Sequence, residues 1–189
     1  IARRQRQMCI RDRLGLEHAQ VVEFASVIAG EQSIQLASIK AASGGYPLRG
    51  ELKSAAEPYA AEQPGGGPGP GEAWAEARLF AALDLRVGQS IEVGNRQLRL
   101  TRVLTYEPDR AGDFYSLTPR VLINLEDLAS TGVVQPGSRV RYRDLWRGDS
   151  ETLARYREAT EKSLAAHQRL EDARDGCLLY TSPSPRDKR

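Results

Sequence analysis

The chain has 189 residues, 40% of them hydrophobic and 28% charged, with a formal net charge of +2. That profile belongs to a globular protein with a core of ordinary size and excludes a disordered chain. No stretch approaches the 18 or more apolar residues of a membrane span, and Arg3, Arg4 and Arg6 are not followed by the apolar run of a signal peptide.

In chain order, the first segment is anomalous. Residues 1–13 read IARRQRQMCIRDR and residues 177–189 read CLLYTSPSPRDKR. Back-translation of Met8 to Asp12 gives a DNA stretch whose reverse complement, in a shifted frame, encodes Cys177 to Ser182. One inverted repeat therefore accounts for both ends. They resemble a transposase adapter of shotgun sequencing libraries, the alternative being a natural Arg-rich arm and a Ser/Pro tail. Read as adapter, they leave the fold argument. Residues 14–176 then hold 19 basic and 23 acidic residues, a net charge of −4. A mildly acidic domain has no electrostatic footprint for nucleic acid. Cys9 and Cys177 lie in the two ends, so cysteine usage does not report the compartment.

Gln20 to Ala29 and Ser33 to Ala42 are β-rich runs about a Gly30-Glu31 turn. Pairing across it sets Val27 opposite Ile34 and Ala25 opposite Leu36, on one buried face. Ser43 to Glu51 holds too much Gly and Pro for a regular element. Pro64 to Gly71 is eight consecutive Pro or Gly residues, expected as a surface loop that packs no core. Glu76 to Leu83 puts Leu79, Phe80 and Leu83 on one helical face.

The clearest local signal is Ser90 to Leu100. Gly94-Asn95 makes a two-residue hairpin loop, since both residue types tolerate positive φ, and pairs Ile91 with Leu98. A strand over about Tyr115 to Ile123 leads into a short helix capped by Asn124, with Gly132 closing it. Ser138 to Trp146 is another strand. Asp149 caps the longest helix, expected to reach about Ala166 with an inner stripe of Leu153, Tyr156, Thr160 and Leu164, and with i,i+4 ion pairs such as Glu151–Arg155. The fold class is α+β, with short mixed or antiparallel strands and about three helices.

Chemistry is sparse. His18 and His167 are far apart, and no zinc-ligand spacing, phosphate loop or nucleophile elbow occurs in residues 14–176. No cofactor, metal site or catalytic residue is therefore expected, and the chain reads as non-enzymatic. Glu107 to Asp113 carries three carboxylates beside a glycine, too few oxygens for a calcium loop, and reads as a solvated turn. The segment Tyr46-Pro47-Leu48-Arg49-Gly50 has a fixed backbone and a Tyr and an Arg about an apolar residue, as an interaction epitope or a packed corner would. Residue physics leaves those two open. Phe114 and Tyr115 form a second candidate aromatic pair.

The order of motifs resembles the FtsX-like ABC transporter permeases of the YbbP type. The residues that carry this are Tyr46 to Leu52 (YPLRGEL), Gly71 to Trp74, Leu85 to Ser90, Val103 to Arg110, Ser116 to Asn124 and Thr131 to Arg139. YPLRGEL and QPGSR are the specific segments, and the series covers essentially all of 14–176. The resemblance implies an extracytoplasmic domain similar to the MacB periplasmic core, inserted between the first and second transmembrane helices of an inner-membrane permease, on the periplasmic side. It implies a separate cytoplasmic ABC ATPase subunit as partner, and hydrophobic or lipid-linked cargo or envelope proteins as further contacts. A coupling or cargo-contact role is then expected of the Tyr46–Gly50 loop, against the rival in which Tyr46 and Leu48 plug the core. A free-standing envelope scaffold and a soluble hydrolase are the alternatives from other classes.

Overall fold

The computed structural model describes residues 15–30, 33–109, 118–135, 137–162, 164–166 and 168–172. The sequence ends read as adapter, 1–13 and 177–189, lie outside the described residues, as do Phe114, Tyr115 and His167. The chain divides into two compact units, Glu17–Arg147 and the flanking segments Ile1–Leu16 with Gly148–Arg189.

Among the described residues, the first unit is built on a mixed sheet of nine strands. These are β1 (Glu17–Ala29), β2 (Ile34–Ala42), β3 (Leu52–Ala55), β4 (Gln63–Gly65), β5 (Glu72–Ala75), β6 (Ser90–Val93), β7 (Arg96–Tyr106), β8 (Arg120–Asn124) and β9 (Arg141–Arg147). Their order is β4-β3-β7-β5-β8-β2-β1-β9, with β6 hairpinned onto β7. The β2–β8 and β5–β7 pairs are parallel and the rest antiparallel. Helix α1 (Ala77–Leu83) follows β5, and a 3-10 turn (Leu125–Asp127) runs into the short helix α2 (Leu128–Thr131). This is the α+β class expected, with three α-helices among the described residues.

Strand alternation sorts the side chains onto two faces. On one, Leu79, Phe80 and Leu83 of α1 pack with Phe24, Ile28 and Ile39 of the long hairpin and with Leu98, Leu100, Val121 and Ile123. On the other, a smaller cluster joins Ala19, Val21, Tyr46, Leu52, Trp74, Leu104 and Leu122.

The hairpin at Gly94-Asn95 forms in the expected register, with Ile91 opposite Leu98 and both buried. Its glycine is needed twice over. Gly94 has φ +60°, and a Cβ there would stand 2.1 Å from the Thr131 carbonyl oxygen, because the turn docks on the end of α2 through a 2.8 Å bond from Asn95 N. Asn124 caps the following turn by accepting from Glu126 N at 3.0 Å, and Gly132 ends α2 at φ +64°.

Several expectations need correction. The β1–β2 register is Val27 opposite Leu36 and Ala29 opposite Ile34, two residues from that expected, because the connection is a four-residue turn closed by Gly30 N to Ser33 O at 2.8 Å. The faces are unchanged by an even slip, yet Val27, Ile34 and Leu36 are exposed, since no strand or loop of the described residues covers that end. The Pro/Gly run is not a bare loop either. Gly65 lies in β4 so close to Trp74 that a Cβ would meet its ring at 2.7 Å, and Pro68 is buried with its carbonyl accepting from Asn124 Nδ2 at 3.1 Å. Glycine there lets backbone lie flat on an aromatic ring. The strand expected from Tyr115 begins among described residues only at Arg120, and that expected from Ser138 begins at Arg141.

In the second unit, α3 (Ser150–Glu161) starts at Asp149, whose carboxylate accepts from Thr152 N at 2.8 Å and from Thr152 Oγ1 at 2.6 Å. These two bonds hold the Asp149 carboxyl below its ordinary range. The helix ends five residues before the expected Ala166. Its buried residues are Thr152, Tyr156 and Thr160, Leu153 is half-buried, and Glu151–Arg155 pairs at 3.5 Å.

Candidate functional site

On the face of the sheet away from α1, charge is buried in quantity. Lys40 is the largest fully buried side chain of the described residues, set in β2 between Ile39 and Ala41. Cross-strand from it on β1 is Glu23. From β8 comes Arg120, which pairs in the ladder with Ser38 and is itself buried. From β9 comes Arg143, opposite Val21. The segment after β7 brings Glu107 and Asp109.

Tyr46 closes this group. Its phenol donates to Glu107 Oε1 at 3.0 Å and lies in hydrogen-bond contact with Asp109 Oδ1. Lys40 Nζ donates to the phenol oxygen at 3.1 Å and to Asp109 Oδ1 at 2.9 Å, is ion-paired with Glu107 Oε1, and reaches Glu23 Oε1 at 3.5 Å. Arg120 spans Glu23 (3.3 Å), Ser38 Oγ (3.1 Å) and Glu107 (3.4 Å). Arg143 spans Glu23 (3.0 Å) and Asp109 (3.5 Å). Three carboxylates thus meet three cations, and the charge is neutralised from within the fold. A buried ion is costly unless paired and hydrogen-bonded; every charge here is paired, while Glu107 Oε2 and Arg143 Nε make no hydrogen bond among the described residues.

The electrostatics fix protonation states. Burial, with the charges of Glu107 and Asp109 beside it, pushes the Tyr46 phenol far above its ordinary range, so it remains a donor. Burial also acts to raise the Asp109 carboxyl, but Lys40, the Tyr46 hydroxyl and Arg143 outweigh it and hold that carboxyl below its usual range. Asp109 is therefore an anion clamped by Tyr46 and Lys40.

Of the five residues singled out from the sequence, the structure places Tyr46 in the interior at 3% exposure, Pro47 and Leu48 half-buried, and Arg49 and Gly50 on the surface. The Tyr46-Pro47 peptide bond is cis. The backbone oxygen of Leu48 accepts from Arg147 Nη1 at 2.6 Å. Gly50, at φ +76°, leaves room only for hydrogen, since a Cβ would meet Pro108 at 2.8 Å. The YPLRG loop and the Glu107-Pro108-Asp109 turn, separate in the sequence reading, are thus one packed unit. A small hollow beside Tyr46, lined by Ser43, Leu52, Gly67, Pro68 and Leu122 among others, has about 20 Å³, room for about one water. A contact made by this loop is therefore made by its surface.

Sequence reasoning missed Lys40, Glu23, Arg120 and Arg143, and took Glu107 and Asp109 for a solvated turn. A signal was present: a lysine inside the apolar run IQLASIKAA and a glutamate inside VVEFASVIA require buried partners wherever both strand faces are covered.

No family model matches the chain. Over 155 residues, 82% of its length, it is 34% identical to the uncharacterized ABC transporter permease YbbP of Escherichia coli strain K12. The chain belongs with the ABC transporter permeases. It spans 18% of the length of that permease. Among the described residues no helix is long and apolar enough to cross a membrane.

Proposed function

We propose that this chain is the extracytoplasmic domain of an FtsX-like permease of MacB-like periplasmic-core type, set between two transmembrane helices of its parent. There it couples motion driven by a separate cytoplasmic ATPase subunit to the export or extraction of hydrophobic or lipid-linked cargo, and carries no catalytic residue of its own. The observation that carries this reading is the 34% identity across 82% of the chain to an ABC transporter permease of which it spans 18%. Such proportions suit one segment of a much larger transporter. Sequencing the parent locus tests it: an apolar stretch of about 20 residues on each side is expected, and its absence sinks the reading. The same sequencing tests residues 1–13 and 177–189 as adapter-derived, an idea that fails if either end is encoded in the locus.

Within that domain, the Tyr46–Gly50 loop is the proposed coupling or contact element, with its residues in different roles. Tyr46, clamped by Lys40, Glu107 and Asp109, fixes the loop, and exposed Arg49 is the side chain available to a partner. In the full-length permease with its ATPase, Arg49→Ala is expected to lower transport or ATPase stimulation with thermal stability unchanged. Unaltered transport in that variant removes the loop from the mechanism.

A further inference from the structure

The β1–β2 hairpin outreaches its neighbours. β9 pairs with β1 only over Glu17–Glu23, and β8 pairs with β2 only over Ser38–Ala42. From Phe24 to Ala37 the two strands form a ribbon without a further strand on either edge among the described residues. Its inner face is occupied: Phe24, Ile28 and Ala37 join the core with Leu83 of α1, and Ser33 Oγ donates to the Ala82 carbonyl at 3.1 Å. Its outer face is left uncovered by the described residues. There Val27 sits opposite Leu36 and Ala29 opposite Ile34, and the three large aliphatics are 54%, 47% and 74% exposed respectively for Val27, Leu36 and Ile34.

Among the described residues, the exposed charges beside this patch are of one sign. The ionic cluster on the same sheet face is balanced, three cations to three carboxylates. Beyond it, Arg141 stands opposite Glu23 in the ladder, and Arg139 follows on the far side of Val140, which turns to the core; both arginines are exposed. Three aliphatic side chains are far fewer than the roughly 20–30 residues a side of a stable protein interface, which argues against a second copy as the occupant. They suit shallow insertion at a headgroup boundary, where apolar side chains enter and arginines meet phosphate.

We propose that the outer face of this ribbon docks on an anionic phospholipid surface, with Val27, Ile34 and Leu36 inserted and Arg139 and Arg141 on the headgroups. The inference goes beyond the coupling role above and does not rest on it. The test is cosedimentation of the full chain with phosphatidylcholine vesicles and with vesicles of equal parts phosphatidylcholine and phosphatidylglycerol. Stronger binding to the anionic vesicles is expected. It should fall roughly fivefold for each arginine removed in Arg139→Gln and Arg141→Gln, and roughly tenfold or more in the triple variant Val27→Thr, Ile34→Thr, Leu36→Gln. Every variant keeps the basic chain ends, so their attraction cancels in the comparison. Circular dichroism melting controls for folding, and if the triple variant unfolds the arginine pair decides. Failure to bind, equal binding to neutral vesicles, or undiminished binding by the variants overturns the proposal. So does a dimer in light scattering that the triple variant dissolves, which would make the patch a contact between copies.

Discussion

The two faces of the sheet bury side chains by opposite means. The face under α1 is closed by aliphatic and aromatic groups alone, Leu79, Phe80 and Leu83 against Ile28, Ile39 and Val121. The other face sets Lys40, Arg120, Glu107 and Tyr46 in the interior and makes their burial tolerable through mutual hydrogen bonds. Apolar contact is non-directional, so the first face stabilises without dictating which loop lies where. The ionic face is directional. Only a backbone that brings Glu107 and Asp109 to Lys40, and Tyr46 over both, satisfies it, so this face fixes the YPLRG loop against the turn after β7.

Removing one member from either face should have the largest effect. Phe80→Ala is expected to lose about 3–5 kcal/mol, and Lys40→Met, which strands buried carboxylates, about 3–5 kcal/mol as well. Chemical denaturation measures both. What separates the faces is rescue: adding Glu107→Gln to Lys40→Met should return part of the loss, whereas no charge change repairs Phe80→Ala. If the double variant is no better than Lys40→Met, the ionic face is held by packing and the contrast collapses.

Next comes Tyr46→Phe, which keeps the ring and deletes the donor to two carboxylates. A loss of about 1.5–3 kcal/mol is expected, the range of hydrogen bonds to charged groups. A neutral result would mean that Lys40, Arg120 and Arg143 satisfy Glu107 and Asp109 without the phenol.

A smaller effect is acid sensitivity. The Asp109 carboxyl is held below its ordinary value of 3.8, so its contribution is present above that pH and disappears as pH falls through the lower, folded value. Asp109→Asn should therefore lower stability at neutral pH and flatten the decline below about pH 4, while Phe80→Ala leaves the slope as in the parent. Parallel acid profiles for parent and Asp109→Asn would contradict this. Smallest of all, Arg49→Ala should leave the melting temperature unmoved, since surface substitutions away from special features change little.

How much of this was legible in the sequence follows from the range of each signal. The Gly94-Asn95 hairpin was fully readable, because two residues set its turn and the alternation beside them sets its face. The cap at Asn124 on the turn that leads into α2 was readable for the same reason. The register of β1 on β2 was not, since a four-residue turn and a two-residue turn both preserve alternation. β3, β4 and β5 lie within or beside Gly/Pro-rich text, and tertiary pairing makes them strands, β3 and β5 on β7 and β4 on β3. The charge cluster depends on residues from 23 to 143 meeting through the parallel β2–β8 pair and the β1–β9 pair, which no local pattern encodes. Lys40 and Glu23, each inside an apolar run, announced it.

The β1–β9 pairing also has a mechanical consequence. Glu17 faces Arg147 at one end of an antiparallel seam, and Glu23 faces Arg141 at the other. Tension applied where the chain enters β1 and leaves β9 falls on the same end of that seam, so its hydrogen bonds are loaded in succession, as a zipper is. The Glu17–Arg147 ion pair, at 2.7 Å, takes the force first. Peeling then advances toward Arg143, whose grip on Glu23 and Asp109 makes it the stop.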